Sequence, residues 1–292
     1  MLLSRFVGSD GRLWVYSKDR PVRQSKPENE CVERDFFEFE VRGKKTENRY
    51  EQWLSHIEGD AASVLESIVQ RRQISNRDAE IWGTFVASLF GRTRKVRSQI
   101  SDAMVRGIRK ETDDPNFIRD MQYWLLQRGE LHNADDLKRM VTETRAAMEE
   151  SPSFYHVSAL PNRVRILLPS LLSRHWHTIE APADNRFLIS DCPVLTIEVR
   201  DGQAFPGAGF GKENTVVLLP LSPKHIFVAS PRHLNWKRVA DPSGVRNINR
   251  LIVQFAHKNV YANASSEDVR VLVNVEIDTI VFGKNAFLPN TT

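Results

Sequence analysis

The sequence predicts an α+β protein: a helical layer packed on a mainly antiparallel β-sheet, with an N-terminal hairpin joining the C-terminal sheet. Three observations carry this. Apolar residues recur at helical spacing through 47–150, short β-prone runs fill 174–231, and both ends hold further strand-like stretches. The order strands, helices, strands, helix, strand reads as a single domain over 1–292. Its parts are N-terminal strands (1–46), a helical layer (47–150) and a C-terminal sheet and helix (151–292).

RLWVYSK (12–18) follows the turn signal SDG (9–11). PVRQSK comes after the polar Lys18-Asp19-Arg20, which completes a hairpin. DFFEFEV (35–41) is a further aromatic run ending near Gly43. The period then changes. Tyr50, Trp53, Leu54, Ile57, Ala61, Val64, Leu65 and Ile68 follow the i, i+3, i+4 rule. A long segment, 77–110, carries Ile81, Trp82, Phe85, Leu89, Phe90, Val96, Ile100, Met104 and Ile108, with Asn76 as its expected cap. Two shorter helices follow, one after Asp114-Pro115 and one after Asn133. RILLPSLLSRHW reads as helix then strand. HWHTIEA, RFLIS, VLTIEV, TVVLLPL and HIFVAS are strands, and FPGAGFGKEN (205–214) is a polar loop able to lie over an opening. VRNINRLIVQFAHKNVYA (245–262) returns to helical spacing.

Composition excludes several classes. The chain is 41% hydrophobic and 27% charged, ordinary for a globular protein. No run approaches the roughly 18 apolar residues of a membrane span. With only two cysteines, Cys31 and Cys192, neither a disulfide framework nor a cysteine-rich zinc site is available, so a cytoplasmic setting is expected. The net charge of +4 says little about partners.

Charges on apolar faces are more informative. Glu58 lies four residues after Leu54 and three before Ala61. Arg92 lies three after Leu89 and four before Val96. A buried carboxylate costs several kcal/mol unless paired, so Glu58 and Arg92 are expected to pair. Asp191 interrupts the apolar strand residues of FLISDCPVLTI (187–197) and is a third candidate for that neighbourhood. Two readings stay open. In one, a polar pocket lies between helices and sheet, with Asp191 and Glu58 catalytic, and Arg92, Asn249 and Ser190 binding substrate. In the other, these residues are an ion pair and an aspartate tying down a turn through backbone N–H groups.

Between 71 and 110 ten basic residues face three acidic ones, Asp78, Glu80 and Asp102. Arg94, Lys95, Arg97 and Arg106 could contact nucleic acid, with Lys95, Arg106, Arg109 and Lys110 as one exposed stripe; a solvated helix face is the alternative. His175 and His177 stand at strand spacing and could begin a metal site completed by Asp191, Glu58 or His225. No HExxH or CxxC accompanies them, and no metal is assigned. Ser190 lacks a nucleophile elbow, Ser222 reads as a turn residue, Cys192 has no basic neighbour in sequence, and GAGFGKEN misses the phosphate-loop pattern at Glu213.

Several segments together resemble the domain-of-unknown-function family DUF4238. FLISDCPV is similar to its "SD-x-P" segment, VVLLPLSP (216–223) to its "PLSP" strand end, and NINRLIVQFAHKNVYA to its late Asn-containing helix and following strand. GRTRKVR (91–97) is similar to its "RT-P-x-x-R" segment, with Arg94 in place of proline, and LLSRFVGSDGRLWVYSK to its opening. The family usually opens with a His-Tyr-Val-Pro-like stretch before the segment matching Leu2–Phe6, which this sequence does not contain. The resemblance covers nearly the whole chain and implies no activity, so any mechanism rests on the residues. From those, the expectation is a hydrolase acting on a phosphate-containing or nucleic-acid substrate, with no cofactor identified. The alternative is a non-enzymatic nucleic-acid-binding or regulatory protein using the basic 71–110 segment.

Overall fold

A computed structural model describes residues 2–30, 40–41, 44–45, 49–93, 95–96, 106, 109–110, 112–127, 129–150, 159–200, 203–207, 209–231 and 237–279. The chain falls into two compact units, 1–95 with 160–292, and 96–159. Most of DFFEFEV, together with Cys31, Arg94, Arg97, Ile100, Asp102, Met104 and Ile108, lies outside the described residues.

In the larger unit a short 3-10 turn (Leu3–Arg5) leads into β1 (Leu13–Ser17) and β2 (Arg23–Ser25), the expected hairpin. β3 (Glu40–Val41) and β4 (Lys44–Lys45) form a small ribbon. α1 (Arg49–Val69) and α2 (Asn76–Gly91) follow. The cap of α2 is Ser75, one residue before the expected Asn76. Its Oγ accepts from Asp78 N at 3.1 Å while the Asp78 carboxylate accepts from Ser75 N, a reciprocal capping box. α2 stops at Gly91 with Arg92 as its C-cap, well short of the expected 110.

The smaller unit holds α3 (Phe117–Leu126) and α4 (Ala134–Glu150). Pro115 precedes the α3 cap, Asn116, rather than opening the first turn. Asn133 caps α4, its side chain accepting from Asp135 N at 2.9 Å. Val96, Leu125 and Leu137 are buried among the described residues here, and Arg145 pairs with Asp113 at 2.7 Å.

The larger unit resumes with α5 (Leu160–Leu172), which accommodates Pro169, then β5 (His175–Glu180), β6 (Ile189–Ser190), β7 (Leu195–Arg200), β8 (Gln203–Pro206), β9 (Thr215–Ser222) and β10 (His225–Ser230). α6 (Pro242–Phe255), β11 (Asn259–Ala262) and α7 (Glu267–Glu276) complete it. The fold is α+β with two principal antiparallel sheets: β2-β1-β11-β6 and β5-β10-β9-β7-β8. The N-terminal hairpin joins the C-terminal region through β11, with Trp14 opposite Ala262.

α2 is the spine of the core. Every residue from Phe85 to Gly91 is buried, because α2 packs between α1 and α5 while its aromatic residues reach the five-stranded sheet. Trp82 stands edge-on to Phe227 of β10 at 5.7 Å, and Phe90 meets Phe210 at 4.5 Å. Phe210 anchors the 205–214 loop: its carbonyl accepts from Ser170 Oγ and Arg174 Nη2 at 2.5 and 2.7 Å. The expected cover for an opening is thus pinned to the core by a buried ring.

Candidate functional site

A cleft of about 840 Å³ opens in the larger unit. Its wall is built from the N-terminal turn and Pro27–Glu30 on one side, Glu51 and Glu58 of α1, the end of α2, and the strand ends Ile189–Asp191 and 257–261. Helical spacing brings Glu58 to this wall, and Arg92 arrives because it terminates α2. A guanidinium there also complements the negative end of the helix dipole. The two pair at 2.6 Å, as their placement on apolar stripes leads one to expect. Their side chains are 33% and 23% exposed, so the pair faces the cleft instead of being sealed in the core. A second pair, Arg23 with the almost buried Glu30, is bidentate at 2.7 and 3.2 Å and holds the guanidinium above its usual pKa.

Asp191 lines the same cleft, and its oxygens are engaged. Oδ1 accepts from His257 N at 2.9 Å, and Oδ2 from Lys258 N and Asn259 N at 2.8 and 3.1 Å. The carboxylate therefore terminates the turn from α6 into β11. Burial pushes its pKa above the usual carboxylate range, against the opposing pull of the three amides and His257. An aspartate interrupting an apolar strand is explained by this distant turn, 66 residues on.

Ser190 also lines the cleft but is buried, its Oγ bonded to both the carbonyl and the N–H of Cys192. Asn249 corrects its expected role. It is not among the residues lining the cleft, because its side chain clamps the approach to β6: Oδ1 accepts from Leu188 N at 2.9 Å and Nδ2 donates to Arg186 O at 2.8 Å. Lys95 is a second correction. It is 3% exposed and pairs with Asp278 at 2.8 Å, so it contributes to no exposed basic stripe. Arg106, Arg109 and Lys110 are exposed in the smaller unit.

His175 and His177 lie with ring centroids 6.4 Å apart, and among the described residues no group of three or more His, Cys, Asp or Glu could hold a metal ion. Burial pushes the Cys192 thiol upward, which leaves it a poor nucleophile. Ser222 is a turn residue whose Oγ accepts from Lys224 N and His225 N. Sequence reasoning missed Arg23, Glu30, Glu28, Glu51, His257 and Lys258. They sit in irregular segments or at an element's end, where no periodicity reports which way a side chain faces. Among the described residues no helix is long and apolar enough to cross a membrane.

The fold and cleft define an α+β protein with a polar site walled by the first half of α1, the end of α2 and a four-stranded sheet. The chain belongs to the DUF4238 family, described as a protein of unknown function, whose model matches residues 1–266. No curated protein and no solved structure matches it.

Proposed function

We propose that the cleft is the active site of a cytoplasmic hydrolase for a small phosphate-containing substrate. The observation that carries this is the Glu58–Arg92 pair: a carboxylate and a guanidinium at 2.6 Å, each partly exposed to one cleft. Arg92 anchors the phosphate by exchanging Glu58 for the incoming anion. The freed Glu58 takes a proton from water as its oxygen bonds to phosphorus. The phosphorus–oxygen bond to the leaving group then breaks, and that group carries away the proton. Asp191 serves as a positioning residue, since its oxygens hold 257–259 in the wall.

The size of the cleft, about 840 Å³, suits one small substrate held at Arg92, Arg23 and Lys258, and five carboxylates around them leave no continuous basic track for a phosphate polymer. The nucleic-acid reading of 71–110 loses Lys95 to its buried pair and retains Arg106 as a described, exposed contributor. A panel of chromogenic phosphomonoesters and phosphodiesters tests the hydrolase. Arg92→Ala is expected to lower kcat/KM by about 10²-fold, and Glu58→Gln by about 10²- to 10⁴-fold. Turnover that survives both substitutions overturns the assignment.

A further inference from the structure

A second concavity, of about 290 Å³, lies where the C-terminus of α1 meets β5, and its chemistry is opposite to that of the cleft. Arg71, Arg72, Lys237 and Arg238 line it, with no carboxylate among its described lining residues. Trp176 supplies an aromatic wall; it stands edge-on to the buried Phe227 at 5.4 Å and is held in place by donating from Nε1 to Leu171 O at 3.0 Å.

Arg71 is placed there with some strain. α1 ends in a Schellman motif, with Arg72 N donating to Ser67 O and Arg71 N to Ile68 O. The left-handed position of that motif, usually glycine, is Arg71 at φ 55°. The guanidinium is fixed by donating from Nε to Thr178 O and from Nη2 to Arg238 O, both at 2.9 Å, so it is already oriented at the rim. Glu180 approaches Nη2 only to 4.0 Å and is half exposed. His177 adds a buried Nε2 with no hydrogen-bond partner. Burial and the neighbouring His175 lower its pKa, so the ring is neutral at pH 7 and that nitrogen can carry the N–H.

We propose that this pocket binds a small phosphate-bearing ligand with a planar ring, of the mononucleotide class. The phosphate meets Arg71, Arg72 and Lys237, and the ring packs on Trp176, which the buried Phe227 backs. Four cations against one half-exposed carboxylate, Glu180 at 4.0 Å from Arg71, call for a multiply charged anion, and the aromatic wall calls for a flat apolar body. The volume suits one small ligand and not a polymer. The site is independent of the hydrolase reading.

Adenosine monophosphate, adenosine and inorganic phosphate, titrated against tryptophan fluorescence and by calorimetry at low salt, test it. The nucleotide is expected to bind below about 1 mM, about tenfold tighter than either fragment, and to weaken as salt rises. Arg72→Ala with Lys237→Ala, two exposed positions, is expected to weaken it by about tenfold or more with an unchanged melting temperature. Arg92→Ala in the cleft should leave it unaltered. The proposal is overturned by any of four results: no saturable binding, inorganic phosphate matching the nucleotide, undiminished affinity in the double variant, or loss of binding in Arg92→Ala.

Discussion

Replacing Asp191 by alanine removes the acceptor for three backbone amides, those of His257, Lys258 and Asn259. Hydrogen bonds to a charged group contribute about 1.5–3 kcal/mol each. The carboxylate's own desolvation, which pushes its pKa up, offsets part of that sum. A net loss of about 3–5 kcal/mol follows, in line with other disrupted buried polar networks. For a unit of this size each kcal/mol moves Tm by about 2–4 °C, so a fall of about 6–20 °C is expected. Asparagine separates the contributions. Its carbonyl can keep the two bonds that Oδ2 receives, but its NH2 cannot accept from His257, so the loss drops to about 1–3 kcal/mol. Urea unfolding gives both numbers, and hydrogen exchange should show lost protection at 257–259. An alanine variant within about 0.5 kcal/mol of the parent would refute the idea that this carboxylate holds the turn.

Other outcomes follow from single features. Ser75→Ala breaks the capping box of α2 and should cost about 1 kcal/mol in urea unfolding without altering ligand binding. Asp278→Asn takes the anionic partner from the 3%-exposed Lys95. It is expected to cost about 1–3 kcal/mol, less than a fully buried pair because Asp278 is half exposed. His177 and His225 both have pKa values lowered by burial, so folding favours their neutral forms. That contribution is complete above the unfolded value of about 6.5 and is lost as pH falls through the lower folded values. Unfolding midpoints should therefore decline from pH 7 to 5, and His177→Asn should flatten the slope. A slope unchanged in that variant rules His177 out as a contributor.

The sequence carried the helical part of this architecture well, because periodicity is local. The stripe on α1 located Glu58, and the stripe continuing to the end of α2 located Arg92, which is why their pairing was legible. The hairpin was legible from its turn, but its neighbour was not. β1 pairs with β11, and strand pairing over such a distance leaves no local trace. The same holds for Asp191 and Asn249. Each polar side chain reaches across more than 60 residues to satisfy backbone groups, so either could equally be read from sequence as pointing into a pocket. Lys95 was misplaced for a related reason: nothing near it in sequence announces Asp278. The early stop of α2 at Gly91 had a weak signal in that glycine, outweighed by the apolar spacing that runs on beyond it.

The pairing of β1 with β11 also orders events in time. Tyr16 Oη donates to Ala264 O across 248 positions, and β11 lies between β1 and β6 in their sheet. On the ribosome, the opening hairpin must wait until that strand emerges, about 12–50 s at ordinary elongation rates. Through that interval the first hairpin has an unfilled strand edge, and the wall of the cleft does not yet exist. Folding dominated by such distant closure is slow, and the exposed edge is open to wrong partners. Chains released before residue 257 would lack the wall that His257, Lys258, Asn259 and Tyr261 supply.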